Sequence, residues 1–136
     1  MKVFITGCFD RFHIAHLISL KKAAILGELY VGVGSDETIK LLKGREPYFN
    51  QHQRLEIIKE LRCVKDAWIN GGLGSMDFVE EILRLRPDYL YIVKEDIALE
   101  EKKNFCEHHG IELIIGERTP NISTTKINED EHTLQT

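Results

Sequence analysis

Short apolar runs recur along the chain, separated by stretches in which apolar and polar residues mix. The runs are nearly continuous and rich in valine, isoleucine, leucine and tyrosine, as is typical of strands buried on both faces of a sheet. They predict five strands, over Val3–Thr6, Leu29–Gly34, Val64–Ile69, Tyr89–Val93 and Ile111–Ile115.

The mixed stretches between these runs carry helix signals. Asn50 followed by Gln53 matches a capping box, and Ser75 is expected to cap the next helix. Gly27 and Gly110 are expected to end helices as left-handed residues. These signals predict helices over residues 14–26, from 35, over 50–62, 76–85 and 98–109, and a short one near 123.

Strand and helix alternate, which predicts a parallel sheet with helices on both faces. The expected fold is α/β: a single Rossmann-like domain with five parallel strands in the order 3-2-1-4-5. Open sheets of this kind bind ligands beyond the carboxyl ends of their strands, where the strand order reverses. We expect the ligand to bind in the crevice between strands one and four. Three polar segments that follow strands should converge there: Gly7–His16, Lys94–Asp96 and Arg118–Lys126.

Length and charge limit the class of protein. At 136 residues the chain has room for one domain, expected over residues 1–128, with an acidic tail over 129–136. A net charge of −4 argues against non-specific binding to nucleic acid, which needs a basic face. No apolar stretch approaches the ~20 residues that span a bilayer, and the first residues show no signal-peptide pattern. The missing apolar span means that we expect no membrane partner. The three cysteines are far apart in the sequence, as is typical of reduced thiols, so we expect a cytoplasmic protein.

The segment after the first strand carries the clearest chemistry. Gly7–Asp10 forms a turn of mostly small residues, and His13 and His16 follow at the start of the next predicted helix. Residues three apart lie on one face of a helix. The helix start adds backbone N–H groups and the positive end of the helix dipole. We therefore predict a polyphosphate site here.

Three segments, taken together, resemble the signatures of a known family. Gly7–His16 is similar to the H-x-G-H signature of the nucleotidyltransferase superfamily. Arg118–Ile127 resembles the R-T-x-G-I-S-T-T-K-I signature of its small cytidylyltransferase branch. Lys43–Pro47, followed by Gln53–Leu55, is similar to the K-G…R stretch between them. The resemblance covers nearly the whole chain and is nearest to the branch that acts on glycerol 3-phosphate.

The resemblance implies a role for each matching residue. His13 and His16 would stabilise the transition state, and Lys43 would bridge the acceptor and the triphosphate. The implied nucleotide-binding residues are Thr6, Gly7, Cys8, Phe9, Arg118, Thr119, Ser123 and Thr124. The implied acceptor-binding residues are Asp10, Asp36 and Arg54, although Asp10 can instead hold the turn and Arg54 can be a solvated charge. No residue is predicted to ligate a metal, since Mg²⁺ would arrive with the triphosphate and be held largely by its oxygens.

The implied reaction transfers a nucleoside monophosphate to a phosphorylated acceptor by in-line attack and releases pyrophosphate. The R-T-x-x-I-S-T-T form favours CMP from CTP, with a small phosphorylated alcohol such as glycerol 3-phosphate as acceptor. The K-G-R-E-P segment also resembles adenylyl-transferring relatives that act on flavin mononucleotide or heptose phosphates, so ATP is the alternative. A non-catalytic nucleotide-binding protein is a third reading, because Ala15 replaces a signature glycine and Lys94–Ile97 replaces a glycine-aspartate-aromatic segment. Asn121 also replaces a signature glycine, but asparagine tolerates the left-handed backbone of such a turn. A homodimer is expected from the resemblance alone.

Overall fold

The computed structural model describes residues 1–117, which form one five-stranded sheet and five helices. The strands are β1 (Lys2–Gly7), β2 (Glu28–Val33), β3 (Val64–Ile69), β4 (Tyr89–Val93) and β5 (Glu112–Gly116). Their order is β3-β2-β1-β4-β5 and every neighbouring pair is parallel, which confirms the predicted fold. The helix predicted near residue 123 and the tail at 129–136 lie outside the described residues.

Two of the predicted helix signals are confirmed. The helices are α1 (Ile14–Ala24), α2 (Asp36–Lys43), α3 (Gln51–Lys59), α4 (Val79–Leu85) and α5 (Leu99–His109). Asn50 Oδ1 accepts the Gln53 N–H at 2.9 Å and Gln53 Oε1 accepts the Asn50 N–H at 3.0 Å, which is the capping box at the start of α3. Gly110 follows α5 with a φ of 69°, the left-handed conformation that glycine adopts at little cost.

The predicted left-handed end of the first helix is wrong. α1 ends at Ala24, and its cap, Ile25, has right-handed geometry. Gly27 is needed for a different reason, because a Cβ at this position would overlap the carbonyl oxygen of Met1. The chain therefore crosses closely over its own start before it enters β2.

Ser75 does not cap α4, which begins four residues later at Val79. The preceding segment is held as a turn by two backbone hydrogen bonds. The Asp77 N–H donates to the carbonyl of Gly74 at 3.2 Å, and the Gly72 N–H donates to the carbonyl of Asp77 at 3.0 Å. These bonds delay the start of the helix and leave Asp77 in the loop that follows β3.

Successive residues of β1 enter two hydrophobic cores on opposite faces of the sheet. Val3 and Ile5 pack with buried residues of α1 and α3, namely Leu20, Ala23 and Ile58. Phe4 packs with buried residues from the other side, namely Phe78, Ile82 and Cys106. Burying each large side chain of this kind contributes about 1.5–3 kcal/mol relative to leaving it exposed. Helices therefore cover both faces, as the alternating sequence pattern predicts.

β1 is the strand at which the order of the sheet reverses, because it pairs with β2 on one side and β4 on the other. Polar segments follow the carboxyl ends of both β1 and β2, in the position where open parallel sheets bind ligands. Among the described helices, none has the length and apolar character needed to cross a membrane.

Candidate active site

The two histidines of the α1 start cap the helix reciprocally. His13 is the N-cap residue, and its Nδ1 accepts the Ala15 N–H at 3.2 Å. His16 Nδ1 accepts the His13 N–H at 3.2 Å, and the two rings stack with centroids 3.9 Å apart. A neutral imidazole that accepts at Nδ1 carries its proton at Nε2. The cap therefore selects the tautomer in which both Nε2–H groups are donors, as an anion site requires.

Phe9 supports this histidine pair from the core side. It is buried and has a φ of 52°, which is uncommon for a bulky residue. Its ring meets that of His16 edge-on, with centroids 5.5 Å apart. A Cβ on Gly7 would come within 3.1 Å of the Phe9 ring, so the glycine makes room for it. In this structure Phe9 fixes the orientation of His16 through packing.

Asp10 is 4% exposed and fastens the loop that follows α2. Its Oδ2 accepts from Arg45 Nη1 at 2.9 Å and from the Tyr48 N–H at 3.0 Å, while Oδ1 accepts from the Phe49 N–H at 3.1 Å. Burial on its own would raise the pKa of Asp10, but the hydrogen bonds from Tyr48, Arg45 and Phe49 lower it below its ordinary value. The geometry thus favours the turn-holding role for Asp10 over direct contact with an acceptor.

Arg54, with 1% of its surface exposed, joins the ends of two strands. Its Nε donates to the carbonyl of Phe49 at 2.9 Å, and its Nη1 donates to the carbonyls of Cys8 at 2.8 Å and Gly34 at 2.5 Å. Its Nη2 pairs with Asp36 Oδ1 at 2.8 Å. Arg54 is therefore a buried clamp rather than a solvated charge, and Asp36 completes the clamp at the start of α2.

A small cationic cleft opens beside His16. It has a volume of about 200 Å³ and is lined by Cys8, Phe9, Asp10, Arg11, His16, Lys43, Arg45 and Tyr48. Arg45 and Arg11 both stack on the Tyr48 ring, 4.5 and 4.9 Å from its centroid. Three cations and a histidine on one small cleft suit a phosphate group. Sequence reasoning gave no role to Arg11 or Arg45, although both lie inside the quoted motifs.

A larger cleft, of about 410 Å³, adjoins the cationic one at Cys8 and Lys43. Its walls come from the ends of β1 and β2, from α2, from the loop before α4 and from the region around the start of α5. The lining residues are Thr6, Gly7, Cys8, Gly34, Thr38, Leu42, Lys43, Gly74, Ser75, Asp77, Asp96, Ile97 and Lys102. Burial raises the pKa of the Cys8 thiol, although Lys43 and Arg54 oppose the shift, so Cys8 is a protonated packing residue at neutral pH.

Two buried charged groups in this larger cleft escaped sequence reasoning. Lys102 is 6% exposed, and its Nζ binds Asp96 Oδ2 at 2.6 Å, while Asp96 Oδ1 accepts the Ala98 N–H at 2.8 Å. Asp77 is also 6% exposed, and burial raises its pKa, although Asn70 and Lys102 partly offset the shift. For Asp77 the hint was position alone, because it follows β3 at the ligand-binding edge. Nothing local singled out Lys102, although its partner Asp96 belongs to the predicted crevice segment Lys94–Asp96.

Thr6, at the floor of the larger cleft, is held by a short polar network. Its Oγ1 donates to the carbonyl of Gly32 at 3.1 Å and accepts from Asn70 Nδ2 at 2.8 Å. These bonds fix the end of β1, after which Gly7 lines the larger cleft and Cys8 lines both clefts. The predicted nucleotide-binding residues Arg118, Thr119, Ser123 and Thr124 lie outside the described residues.

The chain matches a family model described as cytidylyltransferase-like over residues 4–130. It is 36% identical to an FAD synthase of Thermococcus kodakarensis over 113 residues, covering 82% of this chain and 74% of the relative. It is 33% identical to the bifunctional protein HldE of Syntrophotalea carbinolica over 129 residues, covering 88% of this chain but 26% of that protein.

Two solved structures resemble the described fold. The crystal structure of a lipopolysaccharide core biosynthesis protein from Thermoplasma volcanium has a TM-score of 0.72 and 28% identity, covering 88% of this chain and 96% of that one. A protein with unknown function from Archaeoglobus fulgidus has a TM-score of 0.65 at 21% identity, covering 91% and 94%, and shows the shared fold alone.

Proposed function

The chain belongs to the cytidylyltransferase-like family and is a nucleotidyltransferase, and from that premise we propose that it transfers an adenylyl group from ATP to a small phosphorylated acceptor. The motif pattern alone favoured CTP and glycerol 3-phosphate. The similarity to FAD synthases, which are ATP-dependent adenylyltransferases, and to HldE proteins supports the alternative of ATP instead. The acceptor would be a flavin mononucleotide or a sugar phosphate.

In the proposed reaction, an oxygen of the acceptor phosphate attacks the α-phosphorus of ATP. A new phosphorus–oxygen bond forms as the bond between the α-phosphorus and its bridging oxygen breaks, and pyrophosphate leaves with that electron pair. The protein has to align the two anions and stabilise the charge on the equatorial and leaving oxygens.

The structural observation that carries the proposed group transfer, whichever nucleotide is used, is the reciprocal cap of His13 and His16. It fixes two Nε2–H donors at a helix N-terminus, where the backbone dipole also favours an anion. Lys43, Arg11 and Arg45 line the cleft beside them and would neutralise the phosphates of ATP and acceptor.

Mg²⁺ would accompany the triphosphate. Within residues 1–117, no three His, Cys, Asp or Glu side chains come together as a metal site. The cation would be held largely by phosphate oxygens and would neutralise charge on the triphosphate. The cationic side chains of the cleft would bind phosphate oxygens as well.

Thermal unfolding with ATP, CTP, GTP and UTP, each with Mg²⁺, tests the choice of nucleotide. A ligand at 100 times its Kd stabilises a domain by about 2.7 kcal/mol, or roughly 8 °C at this size. We expect the shift with ATP. A shift confined to CTP would restore the CMP-transfer reading, and no shift with any triphosphate would count against catalysis.

Pyrophosphate release then tests catalysis. We expect release that requires ATP, Mg²⁺ and a phosphorylated acceptor together. His16→Ala should remove it while His108→Ala, an exposed histidine at the end of α5, should leave it unchanged. Equal release from both variants would contradict the role assigned to the histidine pair.

A further inference from the structure

Tyr48 lies in the loop between α2 and α3 and lines the cationic cleft. Asp10 Oδ2 accepts both the Tyr48 N–H at 3.0 Å and Arg45 Nη1 at 2.9 Å. The same Arg45 Nη1 also donates to the carbonyl of Glu46 at 3.0 Å. One buried carboxylate oxygen therefore fixes the backbone of Tyr48 and the guanidinium of Arg45 relative to each other.

The Tyr48 ring contacts two arginine side chains. The guanidinium carbons of Arg45 and Arg11 lie 4.5 and 4.9 Å from the centroid of the ring. The negative face of an aromatic ring attracts such a cation, and a planar guanidinium also stacks on it. Two guanidiniums on one ring repel each other, and the ring offsets part of this repulsion. Tyr48 thus holds two positive charges beside one small cleft, where an anion that binds both would remove the rest of the repulsion.

The cationic cleft suits one phosphate group rather than a whole nucleotide. Its volume of about 200 Å³ is below the roughly 300–1,000 Å³ of pockets that enclose drug-sized ligands. Phosphate oxygens accept from the N–H groups of a guanidinium in pairs. Both hydrogen bonds that Arg45 makes to Asp10 and Glu46 use Nη1, so its Nε and Nη2 donors are left for a ligand.

Ordering these arginines before a ligand arrives increases the affinity of the cleft. A long Arg side chain has many rotamers, and ordering it during binding costs free energy. A cation–π contact at a partly exposed site contributes a factor of roughly 2–5 to an equilibrium constant. The two contacts of Tyr48 together then contribute roughly 4–25-fold to the affinity of the cleft for an anion.

We propose that Tyr48 is a positioning residue, whose ring aligns Arg11 and Arg45 so that both bind the phosphate group held in the cationic cleft. The phosphate contacts the two arginines, and Tyr48 acts through them. This inference rests on the proposed function and deepens it, because it names the side chain that orients two of the three cations lining the cleft. It holds whichever nucleotide and acceptor the protein uses.

Binding of inorganic pyrophosphate, measured by calorimetry, tests this role without catalysis. Tyr48→Leu removes the ring and should raise the Kd for pyrophosphate roughly 4–25-fold. Tyr48→Phe keeps the ring without the hydroxyl and should stay within about 2-fold of the wild type. Phe49→Leu is the matched control, because Phe49 is the next residue, is also exposed and does not line the cleft. Unchanged affinity in Tyr48→Leu would overturn the inference, as would an equal loss in both Tyr48 variants.

A double-mutant cycle with Arg11→Met distinguishes positioning from direct contact between Tyr48 and the anion. If the ring acts through Arg11, the loss of Arg11 costs less affinity in Tyr48→Leu than in the wild type. We expect the combined effect on the Kd to be smaller than the product of the single effects by a factor of roughly 2–5, the strength of one cation–π contact. Effects that multiply fully would show that the two residues act independently, and would overturn the inference.

Thermal unfolding with ATP and Mg²⁺ separates this inference from the proposed function. If ATP does not bind but the pyrophosphate results are as expected, the proposed function fails and the role of Tyr48 stands. If ATP binds and Tyr48→Leu binds pyrophosphate as tightly as the wild type does, only the role of Tyr48 fails. A wild-type protein that does not bind pyrophosphate would also overturn that role. The Tm of Tyr48→Leu without ligand should stay within about 4 °C of the wild type, because Tyr48 is exposed; after a larger drop, Tyr48→Met tests the same prediction.

Discussion

Replacing Arg54 with methionine tests whether the ends of β1 and β2 depend on one buried guanidinium. The substitution keeps much of the side-chain volume but removes the donors to Phe49, Cys8 and Gly34. It also leaves the Asp36 carboxylate without the partner that lies 2.8 Å away.

The expected loss follows from the burial of this group. Removing one partner of a buried ion pair costs about 3–5 kcal/mol. Three carbonyls lose a donor as well, at about 1–3 kcal/mol for each that stays unsatisfied, but Asp36 is 28% exposed and regains water. We therefore expect the free energy of unfolding to fall by about 3–5 kcal/mol. For a domain of this size, the Tm should drop by roughly 10–20 °C.

Urea and thermal unfolding, followed by circular dichroism, measure this loss. Arg62→Met is the matched control, because Arg62 lies just beyond α3 and is exposed, and it should change stability by less than about 0.5 kcal/mol. Arg54→Lys keeps the charge without the planar fork and should fall between the two. A loss below about 1 kcal/mol in Arg54→Met would show that the clamp is not needed, and the reasoning would be wrong.

Three further variants separate stability from chemistry. His13→Asn should keep the helix cap, since asparagine is a good N-cap residue, but lower kcat by roughly 10²–10³; near-normal turnover would refute the donor role. Asp10→Asn should lower the Tm at neutral pH but not in acid. The lowered pKa of Asp10 stabilises the folded protein above the ordinary value of 3.8, and this stabilisation is lost as the pH falls. An equal loss of Tm at every pH would contradict this. Asp77→Asn should raise the Tm at neutral pH. The raised pKa of Asp77 means that its charged form destabilises the folded protein as the pH rises above 3.8, and asparagine carries no charge. A lower Tm would mean that the hydrogen bonds and charges around Asp77 outweigh the cost of its burial.

The fold follows closely from local patterns. The apolar runs predict every described strand, and the alternation of strands with helices predicts a parallel sheet. With the order 3-2-1-4-5, the crevice lies beside β1. The capping box at Asn50 could be predicted because its two hydrogen bonds join residues three apart. Gly27 could not be assigned correctly, because its reason is contact with Met1, which is distant in sequence.

The candidate site was predictable where chemistry and sequence spacing coincide, as in the pair His13 and His16. The buried charged residues could not be predicted in this way. Lys102 lies among charged residues in the sequence Glu100-Glu101-Lys102-Lys103, and nothing local distinguishes it from its exposed neighbour. Arg54 likewise lies in the polar first turn of α3, after Gln51, His52 and Gln53. Only the packing of helices onto the sheet decides which of these charges turns inward.

The clamp by Arg54 and the far wall of the larger cleft have separate supports, and this separation affects how the protein can evolve. The end of the site next to the histidine pair is held from α3 and the loop after α2, through Arg54 and Asp10. The far wall of the cleft belongs to the loop before α4 and to α5, through Asp77 and Lys102. Substitutions in that wall can therefore change the shape and charge of the larger cleft while the buried contacts of Arg54 and Asp10 stay as they are.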